Sequence, residues 1–386
     1  MSICQAQKPL TADDILILAA KNRPAIKAAK LSVEQSKNTA KALGTYAPTV
    51  FSLGASSRPE VGATDNDLYV SQPIDVFGRT SAGKRTGEAG IVLAKAEYQE
   101  LALNLQSEVL TAYVDAVAAK HQNEVALELI RIAEGLLTAT KRRFDEGKVA
   151  EIQFNRATVE FERAKQASDL RSAAFQSALV RLSGLTAVDV SELSVEADAT
   201  LPTLEKPEIK QRPDLMKYSA EVEVALSNAQ LVRVANRPEL DFQLRRSPWN
   251  NSPSTYGARI QLTWSLNTNG KASNEIEAAR KQAASAKLLL QDARIKAESE
   301  IKATSLELTA IQKQVRASEQ ILLTTRTLVA KSQTGYAEGF GTQIDVLEAT
   351  RALREVELDL VDSRKRLSLA VIAQYRAAGH LVEVLK

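Results

Sequence analysis

The sequence predicts a mainly α-helical fold with a small β part, built as a duplicated unit of helix, two strands, very long helix and shorter helix. Three observations carry this: a self-match at a separation of about 190 residues, two long proline-free runs of helix-forming residues, and short runs in which apolar and polar residues strictly alternate.

The duplication sets the order of the elements. Asn22-Arg23-Pro24 recurs as Gln211-Arg212-Pro213, Ala47-Pro48 as Arg237-Pro238, and Gly78-Arg79 as Gly270-Lys271. Arg143-Phe144-Asp145-Glu146-Gly147 matches Gly335-Tyr336-Ala337-Glu338-Gly339, and no gap is needed between the matched glycines. The copies span residues 10–185 and 208–381. A proline-bearing, helix-poor linker, 186–207, joins them, and short tails, 1–9 and 382–386, flank them. The N-terminal tail is expected to be disordered.

In each copy the strands come next. Leu240, Phe242 and Leu244 alternate with Asp241, Gln243 and Arg245, and Tyr256, Ala258, Ile260, Leu262 and Trp264 alternate with Gly257, Arg259, Gln261 and Thr263. In the first copy Phe51 and Leu53 alternate with Ser52 and Gly54, a polar loop is expected at 58–66, and a second strand covers 68–74. Each copy therefore carries one β-hairpin, at about 46–77 and 238–267. A hairpin with one apolar face is not stable alone in water, and two per chain are too few to close a barrel. The strands are thus expected to be pooled from several chains, around a water-filled lumen or in a soluble sandwich.

The long helices are expected at about 80–144 and 272–336. Some 65 residues at 1.5 Å each extend roughly 95 Å, too far for a compact domain. Their apolar stripe steps by three, four or seven residues: Leu103, Leu110, Val114 and Val117 in one, Leu308, Ile311, Val315 and Leu322 in the other. Such spacing needs helical partners along its length, and from the helices alone an elongated coiled-coil scaffold fits equally well.

Composition narrows the function. Lys+Arg 50 against Asp+Glu 47 leaves a net charge of +3, too balanced to point to nucleic acid. With one cysteine, Cys4, and two histidines, His121 and His380, no Cys/His metal cluster can be assembled, and neither histidine has a neighbouring nucleophile. The run from Gly78 to Arg85 nearly spells a phosphate-binding loop, but Arg85 stands where the Mg²⁺-holding hydroxyl belongs. No catalysis, cofactor or resident metal is expected. No apolar run reaches the length of a transmembrane helix, which leaves a β-barrel open. The first residues lack an export signal's pattern and read as a mature or engineered N-terminus; Cys4 is either a lipidation site or a free thiol in the tail.

The repeated order of parts, with Gln72-Pro73-Ile74-Asp75-Val76-Phe77-Gly78-Arg79 at the strand-to-helix junction and an Arg/Tyr…Glu-Gly turn in each copy, resembles the TolC-like outer-membrane efflux proteins over almost the whole chain. That resemblance implies a homotrimer in the bacterial outer membrane. Twelve strands, four from each chain, would close a transmembrane β-barrel, and an α-helical barrel would project into the periplasm with the linker around its waist. It implies the exit duct of a tripartite efflux or type I secretion system, a passive conduit fed by an inner-membrane pump through a periplasmic adaptor, the membrane fusion protein. The adaptor-docking tips map onto Glu146-Gly147-Lys148 and Glu338-Gly339-Phe340, and the periplasmic gate onto Tyr336, Gln153, Asp345 and Glu348. Gln153 stands where the family has an aspartate, and Gly341 where it has an arginine, so the polar latch is weakened. Gln153 is still expected to accept a hydrogen bond from the Tyr336 hydroxyl. Asp345 and Glu348, one turn apart on a helix face, would place six carboxylates around a threefold axis, and divalent cations there would hold the mouth. The alternative is a structural coiled-coil protein without transport activity.

Overall fold

The computed structural model describes residues 10–58, 63–189, 201–204, 212–247, 255–266 and 268–382. Cys4 with its tail, most of the 186–207 linker and nearly all of the C-terminal tail lie outside the described residues. The elements run α1 (Ala12–Asn22), α2 (Pro24–Leu43), β1 (Val50–Arg58), β2 (Ala63–Ile74), α3 (Arg79–Asp145), α4 (Glu151–Thr186), α5 (Pro213–Ala235), β3 (Glu239–Ser247), β4 (Thr255–Thr263), α6 (Lys271–Glu338) and α7 (Gln343–Ala378). The protein is mostly helical with a small antiparallel sheet.

Local chemistry explains the punctuation. Thr11 and Asp14 form a capping box that opens α1, and Pro24 at the first position of α2 holds Arg23 in extended backbone. At the start of α3 the Asp75 carboxylate accepts the amides of Arg79 at 2.8 Å and Thr80 at 2.7 Å, satisfying donors that a helix start leaves open. The near phosphate-binding run from Gly78 is therefore the first turns of a helix.

The chain divides into two compact units. One comprises Ala28–Glu100 and Pro213–Ile295. It holds the sheet, ordered β1-β2-β3-β4 and antiparallel throughout. The register collects the apolar side chains on one face: Phe51 opposite Val70, Val70 opposite Leu244, Leu240 opposite Leu262, Phe242 opposite Ile260. On the other face Tyr69 pairs with Arg245, Gln243 with Arg259 and Asp241 with Gln261. Leu53, Ile260 and Leu262 are 74%, 71% and 60% exposed, so the apolar face is bare in the single chain, and β1 and β4 are open edges. One expectation needs correction: β1 runs to Arg58 and β2 begins at Ala63, so much of the expected polar loop is paired strand. Backbone pairing needs no apolar side chain, only a partner.

The second unit comprises Met1–Lys27, Leu101–Arg212 and Lys296–Lys386. Here the apolar stripes are packed: Leu103, Leu110, Val114, Leu129 and Leu136 of α3 are buried, as are Leu308, Val315 and Val329 of α6. Gln106 clasps the chain end, donating to the His380 carbonyl and accepting from the Val382 amide, both at 2.8 Å. Residues 201–204 of the linker lie against α6 and α7. Leu201 and Leu204 pack on Leu308 and Tyr375, and the Leu204 amide donates to Gln374 at 3.3 Å.

Candidate functional site at the helical tips

Two tight turns in the second unit reverse the chain, between α3 and α4 and between α6 and α7. Gly147 (φ 68°) and Gly339 (φ 92°) occupy left-handed backbone that side chains disfavour. Around each, the last helical carbonyls are capped in the same way. Lys148 N donates to Arg143 O and Gly147 N to Phe144 O, while Phe340 N donates to Gly335 O and Gly339 N to Tyr336 O. The first tip is charged: Glu146 is bridged by Lys148 at 2.8 Å and Arg142 at 3.3 Å, and the Lys148 hydrogen bond, then its charge, hold the carboxyl below its usual pKa. Phe144 stacks on Phe154 across the turn at 5.6 Å. The second tip is apolar at its end, with Phe340 91% exposed.

The two tips are tied together through Tyr336 and Gln153 by partners the sequence did not single out, Arg143, Thr140 and Gln343. The Arg143 guanidinium donates to Tyr336 O at 2.9 Å and lies 4.7 Å from the centre of its ring. Tyr336 is buried with Leu136, Ala157, Val346 and Leu347, and its hydroxyl is 3.2 Å from Thr140 Oγ1. On the other helix pair, Gln343 Nε2 donates to Gln153 O at 2.8 Å. The expected bond from the Tyr336 hydroxyl to Gln153 is therefore replaced: Thr140, one turn before Phe144 on α3, takes the hydroxyl. Gln153 takes part through its backbone, and its buried Oε1 has no partner among the described residues. Gly341 is explained by space. A Cβ there would stand 3.0 Å from Tyr336 N and 3.1 Å from Gly335 C, so any larger residue needs the backbone of α6 to give by a few tenths of an ångström.

Asp345 is the third residue of α7, and with Thr342 it forms a capping box, accepting from Thr342 N at 2.9 Å and Thr342 Oγ1 at 2.7 Å. Those bonds, the side-chain one foremost, lower its pKa. Glu348, one turn on, is exposed. Among the described residues no three potential metal ligands cluster within the single chain. Farther along, Glu357 of α7 is 3% exposed and accepts from Arg326 Nη2 at 2.7 Å and Nε at 3.1 Å, both on one oxygen; its other oxygen has no partner among the described residues. Desolvation foremost, with the nearby Glu128 charge, raises its pKa against the opposing pull of Arg326.

Comparisons with known proteins agree with this construction. The family model described as "Outer membrane efflux protein" matches residues 15–188 and again 207–380. The nickel-cobalt-cadmium resistance protein NccC of Alcaligenes xylosoxydans is 27% identical over 64% of this chain and 57% of its own length, so that match spans little more than half of the relative. The pyoverdine export outer membrane protein OpmQ of Pseudomonas putida is 22% identical over 85% of this chain and 73% of its own. The crystal structure of the Campylobacter jejuni CmeC outer membrane channel superposes with a TM-score of 0.81 at 18% identity, covering 95% of this chain and 85% of that one, a likeness of fold.

Proposed function

The chain belongs to the outer membrane efflux protein family, and on that premise we propose that it works as a homotrimeric exit duct. The observation that carries this is the four-stranded sheet, with one face apolar and exposed, the other polar, and both edges open. Three copies pooling their strands edge to edge would close a twelve-stranded barrel, with Leu53, Ile260 and Leu262 against outer-membrane lipid and Arg245 and Arg259 toward water. Closure removes every free edge and buries the apolar face, which answers both liabilities of the single chain.

In this reading the tips around Gly147 and Gly339 dock the periplasmic adaptor, Phe340 offering an apolar contact and Glu146 and Lys148 a charged one. The inner-membrane pump acts through that adaptor. The mouth is held by the Arg143–Tyr336–Thr140 and Gln343–Gln153 contacts within each copy, and Asp345 and Glu348 from three copies form a cation-attracting ring. The relatives named for nickel, cobalt and cadmium resistance and for pyoverdine export favour small solutes as cargo over secreted proteins.

The test is the assembly state and conductance of the purified chain. Native mass spectrometry from mild detergent is expected to show trimers, and planar bilayers are expected to show stepwise pore currents. A monodisperse monomer that needs no detergent and opens no pores would leave the coiled-coil scaffold reading instead.

A further inference from the structure

Between α3, α4 and α7, all within the second unit, lies a hollow of about 250 Å³. Leu129, Leu136 and Leu347 form its floor, and Ala133 and Ala164 stand where larger side chains would fill it. Its rim carries three guanidinium groups, Arg171, Arg351 and Arg354, against one carboxylate, Glu160. Arg171 donates to Gln122 at 2.7 Å, and Arg351 reaches Glu160 only at 4.0 Å. Arg354 has neither a hydrogen bond nor an ion pair among the described residues.

We infer that this hollow is a binding site for a small amphipathic anion, an aromatic or aliphatic body bearing a carboxylate or sulfonate. The apolar floor accounts for the body, since a dry cavity of about 150 Å³ already accepts a benzene ring, and the larger space here suits a two-ring aromatic. The excess of positive charge at the rim accounts for the anion. A guanidinium offers a planar donor pair to two oxygens of such a head group, and the exposed Arg351 and Arg354 leave theirs open to an incoming ligand. A neutral molecule of the same shape would gain the floor contacts alone, and a cation would meet three like charges. All the lining side chains belong to one copy, and the site works only if assembly leaves the hollow open.

The probe is naphthalene-2-sulfonate, titrated calorimetrically into the whole protein in lipid nanodiscs, with naphthalene-2-methanol and a naphthyl trimethylammonium as neutral and cationic comparators. Saturable binding of the sulfonate is expected, with the neutral comparator about tenfold weaker and the cation undetectable, as the loss of one charge-assisted contact implies. Ala164→Leu, at a half-buried position that tolerates bulk, is expected to abolish binding, and Arg354→Gln to weaken it about tenfold with the thermal midpoint unchanged. Equal affinity for the three probes, or binding that survives Ala164→Leu, overturns the inference. So does an absence of saturable binding to the assembled protein, which would mean that a neighbouring chain covers the hollow.

Discussion

The Arg143 guanidinium lies 4.7 Å from the Tyr336 ring centre and donates to the Tyr336 carbonyl at 2.9 Å, so one side chain holds both the face and the backbone of a residue in the last turn of the other long helix. Arg143→Ala removes both contacts at a cost of about 1–2 kcal/mol to the packing of the tip. Amide exchange at Gly339 and Phe340 is expected to quicken about tenfold, and mean pore conductance to rise. Unchanged exchange would remove Arg143 from the latch.

Gly335 and Gly341 face each other, yet they differ in what they tolerate. A Cβ on Gly335 meets nothing nearer than 3.8 Å, whereas one on Gly341 meets the Tyr336 amide at 3.0 Å. Gly335→Ala is expected to be neutral or to stabilise by up to about 1 kcal/mol through helix propensity. Gly341→Ala is expected to destabilise by about 1–2 kcal/mol. Thermal unfolding of the two variants side by side decides, and equal midpoints would refute the crowding argument.

Asp345 both caps α7 and contributes to the proposed ring. Asp345→Asn keeps a side-chain oxygen that can accept from Thr342 in the capping box, while removing the charge. The variant is expected to fold normally and to lack the Mg²⁺-dependent fall in conductance that the proposed ring predicts for the parent. Because its pKa is lowered, the parent's carboxylate keeps its charge as pH falls through the ordinary value of 3.8. Acid should therefore relieve the Mg²⁺ block only below that point. A block that persists in Asp345→Asn sinks the ring.

Glu357 is buried, and its pKa is raised, so the folded state holds its proton more tightly than the unfolded chain does. Its contribution therefore favours folding below the ordinary value of 4.5 and opposes folding once pH rises through the folded value. Arg326→Met strips its counter-charge. The expected loss is about 2 kcal/mol near neutral pH, less than for a fully buried pair because Arg326 is half exposed, and smaller near pH 5. Adding Glu357→Met should recover most of it. Helical circular dichroism against temperature at the two pH values provides the measurement, and a pH-independent loss would contradict the assignment.

Ile260 and Gln261 are neighbours on β4 that point to opposite faces of the sheet. Ile260→Arg is expected to disrupt insertion, with a cost of about 2–4 kcal/mol if the residue meets mid-bilayer lipid. Gln261→Arg should assemble normally and shift only ion selectivity. Similar behaviour of the two would argue against a barrel.

The helices and strands were legible because their periods are long and clean. Leu240 to Leu244 alternates without a break, and no proline interrupts α3 or α6. The beginning of β2 was not legible, since Thr64, Asp65 and Asn66 look like loop residues and are held in the strand only by pairing with β1. The pairing of β2 with β3, which joins the hairpins of the two copies, leaves no local signal at all. At the tips, the glycine turns could be read from composition, but the partner of Tyr336 could not. Threonines recur along both long helices, several bonding their own preceding turn, as Thr325 and Thr334 do. Nothing in the sequence marks Thr140 as the one that faces a tyrosine on another helix.

The order β1-β2-β3-β4 places the seam between the two copies inside the chain and leaves a β1 edge and a β4 edge for the proposed contact between neighbours. Six identical half-length chains could form such a ring only with every seam alike. Fusing two copies breaks that sixfold sameness: Val70 opposite Leu244 lies at an internal seam that can drift in sequence independently of the external one. A duct of three duplicated chains can thus keep one half suited to holding and let the other become suited to opening, a division of labour that higher symmetry would forbid.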